Sequence, residues 1–165
     1  MPFFDPRLRT WFMVALFLSI IFASSPDRAN CGNELSDGES VYVPIYSNVY
    51  SGPKKRPFQL AALLSIRNTD LKYPITILEI DYYDNSGKLV DKYIEKEFQL
   101  APMESTNFYI KEYDKKGGPG ANFIVTWCSE KMVNHPIIQG IMLGFTSGQG
   151  LSFVCPGQII KRHTD

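Results

Sequence analysis

The sequence contains very few residues of the types that carry most enzymatic chemistry. There are two histidines and three cysteines in 165 residues, and they do not form the paired spacing that metal sites use. No Gly-x-Ser-x-Gly motif surrounds a serine, as a nucleophile elbow requires. His135 precedes a proline in a predicted turn and His163 lies in the terminal tail, so neither is placed beside a nucleophile. We therefore expect no enzymatic activity, no metal and no cofactor.

An excess of charge of either sign is also lacking. Seventeen basic residues balance seventeen acidic ones, so no overall field attracts a polyanion. We therefore expect no nucleic-acid partner. Apolar residues make up 44% of the chain and charged residues 21%, which is typical of a globular protein, and the length suits one domain.

No apolar run is long enough for a stable transmembrane helix. The longest extends from Trp11 to Ala23, after Arg7 and Arg9, whereas a spanning helix needs about 20 residues. A charged start, an apolar run and a polar exit are typical of a secretory signal. We interpret residues 1–29 as a secretory signal or N-terminal anchor. The protein is then exported, to the periplasm or the exterior, and touches a membrane only through this segment.

Export would place the three cysteines where disulfides persist, and Cys128 with Cys155 is the candidate pair. If the last three strands form a meander, however, Val125 and Cys155 both lie beside Gly140. Cys128 is then about three residues away along its strand, which exceeds bridging distance at about 3.3 Å per residue. Two buried thiols are the alternative. Cys31, shortly after the signal, is a candidate lipidation site, although the residues before it fit the motif poorly.

Helical periodicity is absent, and period-two alternation between turn residues predicts strands instead. We expect about eight strands in an all-β, single immunoglobulin-like antiparallel β-sandwich over residues 41–161, after a flexible lead-in over residues 30–40. Pro44 cannot donate a ladder hydrogen bond, so it predicts that the first strand, Val41–Tyr50, lies at a sheet edge. The strand Leu60–Asn68 is apolar on both faces and is predicted to be central.

A hairpin is the clearest local feature. Ile75–Tyr83 and Lys88–Phe98 alternate in apolar character, and Gly87 between them is free to adopt the positive φ of a tight turn. Four carboxylates share this hairpin, so an exported hydrolase that uses two of them is one alternative function. They are Asp81, Asp84, Glu95 and Glu97.

Three tyrosines form a candidate binding surface. Tyr42, Tyr46 and Tyr50 would share one face of the predicted edge strand, where they could stack on a glycan or anchor a protein. The alternative is that this strand is covered, since edges are normally protected. Two loops supply further contact candidates. Their residues are Arg67, Asn68 and Asp70 in the first and Gly117, Gly118 and Asn122 in the second.

Five blocks of sequence together resemble a known family. They are Tyr46–Tyr50, Ser65–Asp70, Asp81–Asp84 with Gly87–Val90, Gly117–Val125 and Gln149–Phe153. They resemble a bacterial family of exported proteins catalogued as a domain of unknown function, the DUF3124 family. The resemblance implies an extracytoplasmic setting and no established activity.

These observations predict an extracytoplasmic, non-catalytic module that binds a protein or saccharide of the cell envelope. Besides the hydrolase, a structural envelope protein tethered through its N-terminus is an alternative.

Overall fold

The computed structural model describes residues 34–114, 116–146 and 148–163. This part of the chain is all-β, as predicted, and includes no helix of the length and hydrophobicity of a membrane span. Residues 1–29 and Cys31 lie outside it. The described residues form twelve strands where about eight were expected. These are β1 (Leu35–Ile45), β2 (Asn48–Ser51), β3 (Arg56–Gln59), β4 (Ala61–Arg67), β5 (Ile75–Tyr83), β6 (Leu89–Lys92), β7 (Phe98–Leu100), β8 (Ser105–Ile110), β9 (Ala121–Asn134), β10 (Ile137–Thr146), β11 (Gln149–Pro156) and β12 (Gln158–Arg162).

Two antiparallel sheets account for most of these strands. The six-stranded sheet has the order β12-β1-β9-β5-β6, and β7 also pairs with β5. The four-stranded sheet has the order β11-β10-β4-β8, and β2 with β3 forms a separate hairpin. Most neighbours are distant in sequence, so the order could not be predicted from the alternation of single strands.

The core contains the inward-facing side chains of both sheets, with Trp127, Phe123 and Tyr82 the largest fully buried ones. β1 and β10 approach each other closely at Gly140. A Cβ atom there would lie 2.8 Å from Cδ1 of Ile45 and 2.9 Å from the carbonyl oxygen of Pro44. Only glycine allows this approach of one sheet to the other.

The chain passes from the four-stranded sheet to the six-stranded sheet at Gly157. Its N–H donates to the carbonyl of Ile138 at 2.8 Å, and a Cβ would lie 2.6 Å from Cγ1 of Val41. The residues on the two sides of Gly157 therefore belong to two strands, β11 and β12, in different sheets.

β1 differs from the expectation at both of its ends. It begins at Leu35, so residues 35–40 of the predicted lead-in are strand, with Glu39 and Ser40 buried. It also lies between β9 and β12 and is not an edge strand as a whole. Its last partner on β12 is Gln158, opposite Tyr42, so Pro44 lies where that side of the strand is locally open.

Other local expectations are confirmed. β4 is central, between β10 and β8. β5 pairs with β6 across a turn in which Gly87 has φ 77°. The second arm, predicted as Lys88–Phe98, is interrupted, because the strand ends at Lys92 and pairing with β5 resumes only with β7 at Phe98. The expected meander of the last strands is wrong, because β9 pairs with β1 and β5 and not with β10.

Cys128 and Cys155 are both free thiols, so the candidate disulfide between them does not form and the alternative of two thiols is the one observed. Cys155 lies opposite Gly140, as expected from register, but Cys128 lies in the other sheet, opposite Gly38 and Thr76. Burial raises the pKa of both thiols, and the nearby Glu97 carboxylate adds to the increase at Cys128.

Candidate functional site

The predicted tyrosine surface is not continuous. Tyr42 is a half-buried residue of β1, while Tyr46 lies in the link after β1 and packs edge-on against Phe153, with ring centroids 5.8 Å apart. Of the three, Tyr50 on β2 alone is exposed, at 64%. β1 ends at Ile45, so the alternation of one strand does not continue through these positions.

Asn68 is buried and serves the fold, contrary to its prediction as a contact residue. It is 2% exposed. Its Nδ2 donates to the carbonyls of Tyr73, Leu100 and Ala101 at 3.0, 3.2 and 3.0 Å. Its Oδ1 accepts from the N–H of Asp70 at 2.9 Å. The side chain thus joins the β4–β5 loop to the end of β7, and it has no free donor for a partner.

Asp70 is likewise occupied by the backbone. Oδ1 accepts from the N–H groups of Lys72 and Tyr73 at 2.8 and 2.9 Å, and Oδ2 accepts from that of Asn134 at 3.2 Å. The hydrogen bond from Lys72, followed by that from Tyr73, lowers the pKa of Asp70 below its ordinary value of 3.8, against the opposing effect of burial. Of the predicted loop contacts here, only Arg67 is exposed.

The pKa of Asp70 predicts a loss of stability in acid. The carboxylate is favoured in the folded state, so the unfolded chain takes up the proton first as the pH falls. This contribution is present in full above the unfolded value, near pH 4, and is lost as the pH falls through the folded pKa. Urea unfolding at pH 5.5 and pH 3 should therefore show a smaller acid-induced loss in Asp70→Asn than in the natural chain. Equal losses in the two proteins would contradict the assignment.

The loop that contains Gly117 and Gly118 packs closely against the core at Tyr82. A Cβ on Gly117 would overlap the hydroxyl of Tyr82, and Gly118 has φ 73°. The N–H of Asn85 donates to the carbonyl of Gly117 at 3.0 Å, and that of Ser47 to Gly118 at 3.4 Å. These glycines permit close packing, and their carbonyls accept both of these hydrogen bonds. Asn122, the third predicted contact in this segment, is a half-buried residue of β9.

Two of the four hairpin carboxylates have structural partners. Asp81 lies 3.6 Å from the Nζ atom of Lys92, and Asp84 accepts from the N–H groups of Ser86 and Lys88 at 2.8 and 2.9 Å. The two hydrogen bonds to Asp84 close the turn between β5 and β6. Glu95 and Glu97 are exposed. Among the described residues, no three His, Cys, Asp or Glu side chains are grouped as metal ligands.

A contact between a buried carboxylate and a half-buried imidazole was not predicted from the sequence. Glu39 is 1% exposed, and its Oε2 lies 3.0 Å from Nδ1 of His135 in the β9–β10 turn. Its Oε1 has no hydrogen-bond partner in the described chain and lies 3.8 Å from Nε of Arg162. Arg162 in turn binds Glu34 through two contacts of 3.0 and 2.7 Å. Continuing the alternation of Val41 and Val43 back by one step would have placed Glu39 inside.

The other histidine meets the next residue of β1 on the opposite face. The Nε2 atom of His163 lies 3.1 Å from the hydroxyl of Ser40, which is also 3.3 Å from that of Thr126. Serine beside histidine is the beginning of a nucleophilic site, but Ser40 is buried and its hydroxyl is shared. The contact between Ser40 and His163 holds the segment after β12 against β1. The backbone N–H of His163 adds a second contact, because it donates to the carbonyl of Gly38 at 2.9 Å.

A band of apolar side chains crosses the outer face of the four-stranded sheet. Leu63 on β4 lies opposite Tyr109 on β8 and Ile141 on β10, and Ile141 lies opposite Val154 on β11. Four neighbouring strands span roughly 14 Å at about 4.8 Å each. Leu143 and Phe145 extend the band along β10. We call the whole set the apolar face: Leu63, Tyr109, Ile141, Leu143, Phe145 and Val154.

This face is exposed and bounded by polar residues. Tyr109, Val154 and Phe145 are 55%, 52% and 69% exposed. A depression of about 550 Å³ lies on it, lined in part by Tyr109, Leu143 and Phe145 with Leu151. The neighbouring row of the sheet is instead mainly polar: Asn107, Ser65, Gln139 and Pro156. An apolar centre with a polar border is typical of protein interfaces.

Comparison with known proteins identifies relatives without assigning an activity. The family described as "Protein of unknown function (DUF3124)" matches residues 38–160. Among solved structures, the crystal structure of Thermotoga maritima 1070 is similar at a TM-score of 0.43 and 16% identity, over 73% of this chain and 92% of that one. No curated protein matches.

Proposed function

Because this chain belongs to the DUF3124 family, for which no function is described, we propose a function from its own geometry: a non-catalytic module that binds another protein through the apolar face. The observation that carries the proposal is the unbroken row from Tyr109 to Val154 across all four strands. Outward-facing strand positions are usually polar when water covers them. A row that is apolar on every strand is what a second surface would bury.

A protein fits this face better than a saccharide does. Saccharide sites combine aromatic platforms with several hydrogen-bonding side chains, because each sugar ring carries hydroxyl groups. Leu63, Ile141, Leu143 and Val154 are aliphatic, and the depression has few polar side chains in its lining, Glu112 and Ser152. The exposed aromatics Tyr109 and Phe145 are residue types that anchor protein interfaces.

The setting we propose is outside the cytoplasm, on the basis of the signal-like pattern in residues 1–29. The partner is then a protein of the cell envelope. For the fold we propose the immunoglobulin-like class of sandwich. Its support is that two antiparallel sheets supply one core and that strands distant in sequence, such as β1 and β9, are neighbours.

Site-specific photo-cross-linking tests the binding surface. A photoreactive amino acid would replace Tyr109 or Val154 in the full chain, expressed in cells that carry it naturally. The matched control position is Leu71, an apolar residue that is 73% exposed in the β4–β5 loop. We expect one protein to be cross-linked from both face positions and not from Leu71, and Phe145→Ser to reduce its yield at least about fivefold by removing buried apolar area.

The outcomes separate the alternatives. No adduct from either face position, in a chain that is folded and exported, would overturn the proposal. Adducts between copies of this chain alone would replace the partner protein with self-association. Adducts that are equal at Leu71 would show that contact is non-specific.

A further inference from the structure

One of the sheet edges lacks the features that normally protect an edge. β12 carries Lys161 and Arg162, β11 ends in Pro156, and β6 contains Asp91 and Lys92. The edge strands β2 and β7 are only four and three residues long, and short length also limits the pairing of a further strand. The pairings of β12 and β6 are also irregular. Charges, proline and bulges are the usual means of blocking a further strand. β8, with the sequence Ser-Thr-Asn-Phe-Tyr-Ile, has no charge and no proline, and its pairing with β4 is regular over all six residues.

The outer side of β8 has no neighbouring strand among the residues that the structure describes. In the described part of the chain, residues 105–110 form no backbone hydrogen bond outside their pairing with β4. Alternate N–H and C=O groups of an edge strand point away from its neighbour. β8 therefore presents a row of unpaired groups over about six residues.

A depression of about 420 Å³ lies at the C-terminal end of this edge. Three tyrosines and Ile110 form half of its lining, and charged residues form the other half: Tyr93, Tyr109, Ile110, Tyr113, Lys111, Glu112, Asp114 and Lys116. The Tyr93 ring packs against Phe108 of β8, with centroids 6.0 Å apart, and its burial raises its pKa to about 12. Tyr93 is thus a fixed wall, whereas Tyr113 is exposed. The apolar face reaches the same edge at Tyr109.

We propose that the partner binds as an extended strand that pairs with β8 and places one side chain in the depression between Tyr93 and Tyr113. The inference rests on the proposed function and specifies the conformation in which the partner binds. Strand addition derives affinity from main-chain hydrogen bonds and selectivity from pockets that take alternate side chains. A strand added here would extend the row that now ends at Tyr109, so its residue opposite Tyr109 would be apolar.

A second copy of this chain fits the edge less well. Antiparallel pairing of two β8 strands that keeps outer residues opposite outer residues puts Asn107 or Ser105 of the other copy opposite Tyr109, and both are polar. A register that puts Tyr109 opposite Tyr109 of the other copy pairs only residues 108–110 of each β8. Neither arrangement continues the apolar row along the whole edge. We therefore assign the edge to a different protein.

Panning a phage-displayed library of random dodecapeptides on the full chain, followed by amide hydrogen exchange, tests the inference. Selected peptides should carry an apolar residue at every second position. In the free chain, alternate amides of residues 105–110 should exchange rapidly, and a saturating peptide should slow them at least about tenfold. The double variant Asn107→Lys with Tyr109→Lys should weaken peptide binding at least about tenfold, because lysines at an edge oppose pairing. Leu71→Lys with Met132→Lys, at exposed positions elsewhere, is the matched control.

The failure of this inference can be told apart from the failure of the proposed function. Cross-linking from Tyr109 and Val154, with no protection of the β8 amides by any selected peptide, would overturn strand addition and leave the binding face in place. Protection that appears without peptide and rises with protein concentration would overturn it in favour of a second copy. Equal binding by both double variants would overturn it as well.

Discussion

Replacing His135 with alanine is expected to lower the free energy of unfolding by about 3 kcal/mol. The substitution removes the imidazole that lies 3.0 Å from a carboxylate of 1% exposure. Glu39 would keep one distant cation, Arg162 at 3.8 Å, and an oxygen that already lacks a hydrogen bond. A buried charge without a partner is costly because its lost hydration is not replaced.

Urea unfolding at pH 7 measures this effect, and two variants sharpen it. Glu39→Gln removes the charge, so His135→Ala should cost at least about 1 kcal/mol less in that background than in the natural chain. His163→Ala is the matched control, because it removes a hydrogen bond to the neutral Ser40 and should cost only about 1 kcal/mol. Equal losses for the two histidines would show that the charge of Glu39 has no part in the effect.

Asn68→Ala is expected to cost about 3 kcal/mol as well, since it leaves three carbonyls and the N–H of Asp70 without their partner. Asn68→Asp should be worse, although it is nearly the same size. A carboxylate accepts hydrogen bonds only, so it would face the carbonyl oxygens of Tyr73, Leu100 and Ala101 with no donor between them.

Thermal and urea unfolding of both variants check this order. Asn107→Ala, which truncates an exposed amide on β8, is the control and should change stability by less than about 0.5 kcal/mol. If Asn68→Ala were as mild as Asn107→Ala, the hydrogen bonds of Asn68 would not hold the loops together. Asn68 would then again be available as a contact residue for a partner.

The loop containing Asn68 and Asp70 shows why a predicted contact residue was structural. Polar residues in a loop between strands suggest exposure, because most loops lie on the surface. Here the backbone of the β7–β8 link and of the end of β9 comes close enough to need donors and acceptors, and the side chains of Asn68 and Asp70 supply them. The groups that require these hydrogen bonds are distant in sequence, so the sequence around Asn68 and Asp70 does not indicate that the two side chains are buried.

The tyrosines and the apolar face also show that a surface formed by several strands cannot be predicted from one strand at a time. Tyr42 and Tyr50 would lie on the same face only if one strand continued through both, and β1 ends before Tyr50. Tyr109, Leu63, Ile141 and Val154 lie on four strands, and nothing in any one of these strands indicates that the four positions align. The apolar row becomes apparent only when the register between the four strands is known.

The sequence by itself determined the all-β class, the β5–β6 hairpin with its turn at Gly87, the central position of β4 and the membership of the family. Each follows from alternation, turn chemistry or motifs that are local along the chain. Only the tertiary structure decided which strands share a sheet, that the buried Glu39 meets the half-buried His135, and that one outer face is apolar. These depend on pairings between residues as far apart as Glu39 and Arg162, and such pairings are selected by burial of the whole core rather than by any segment alone.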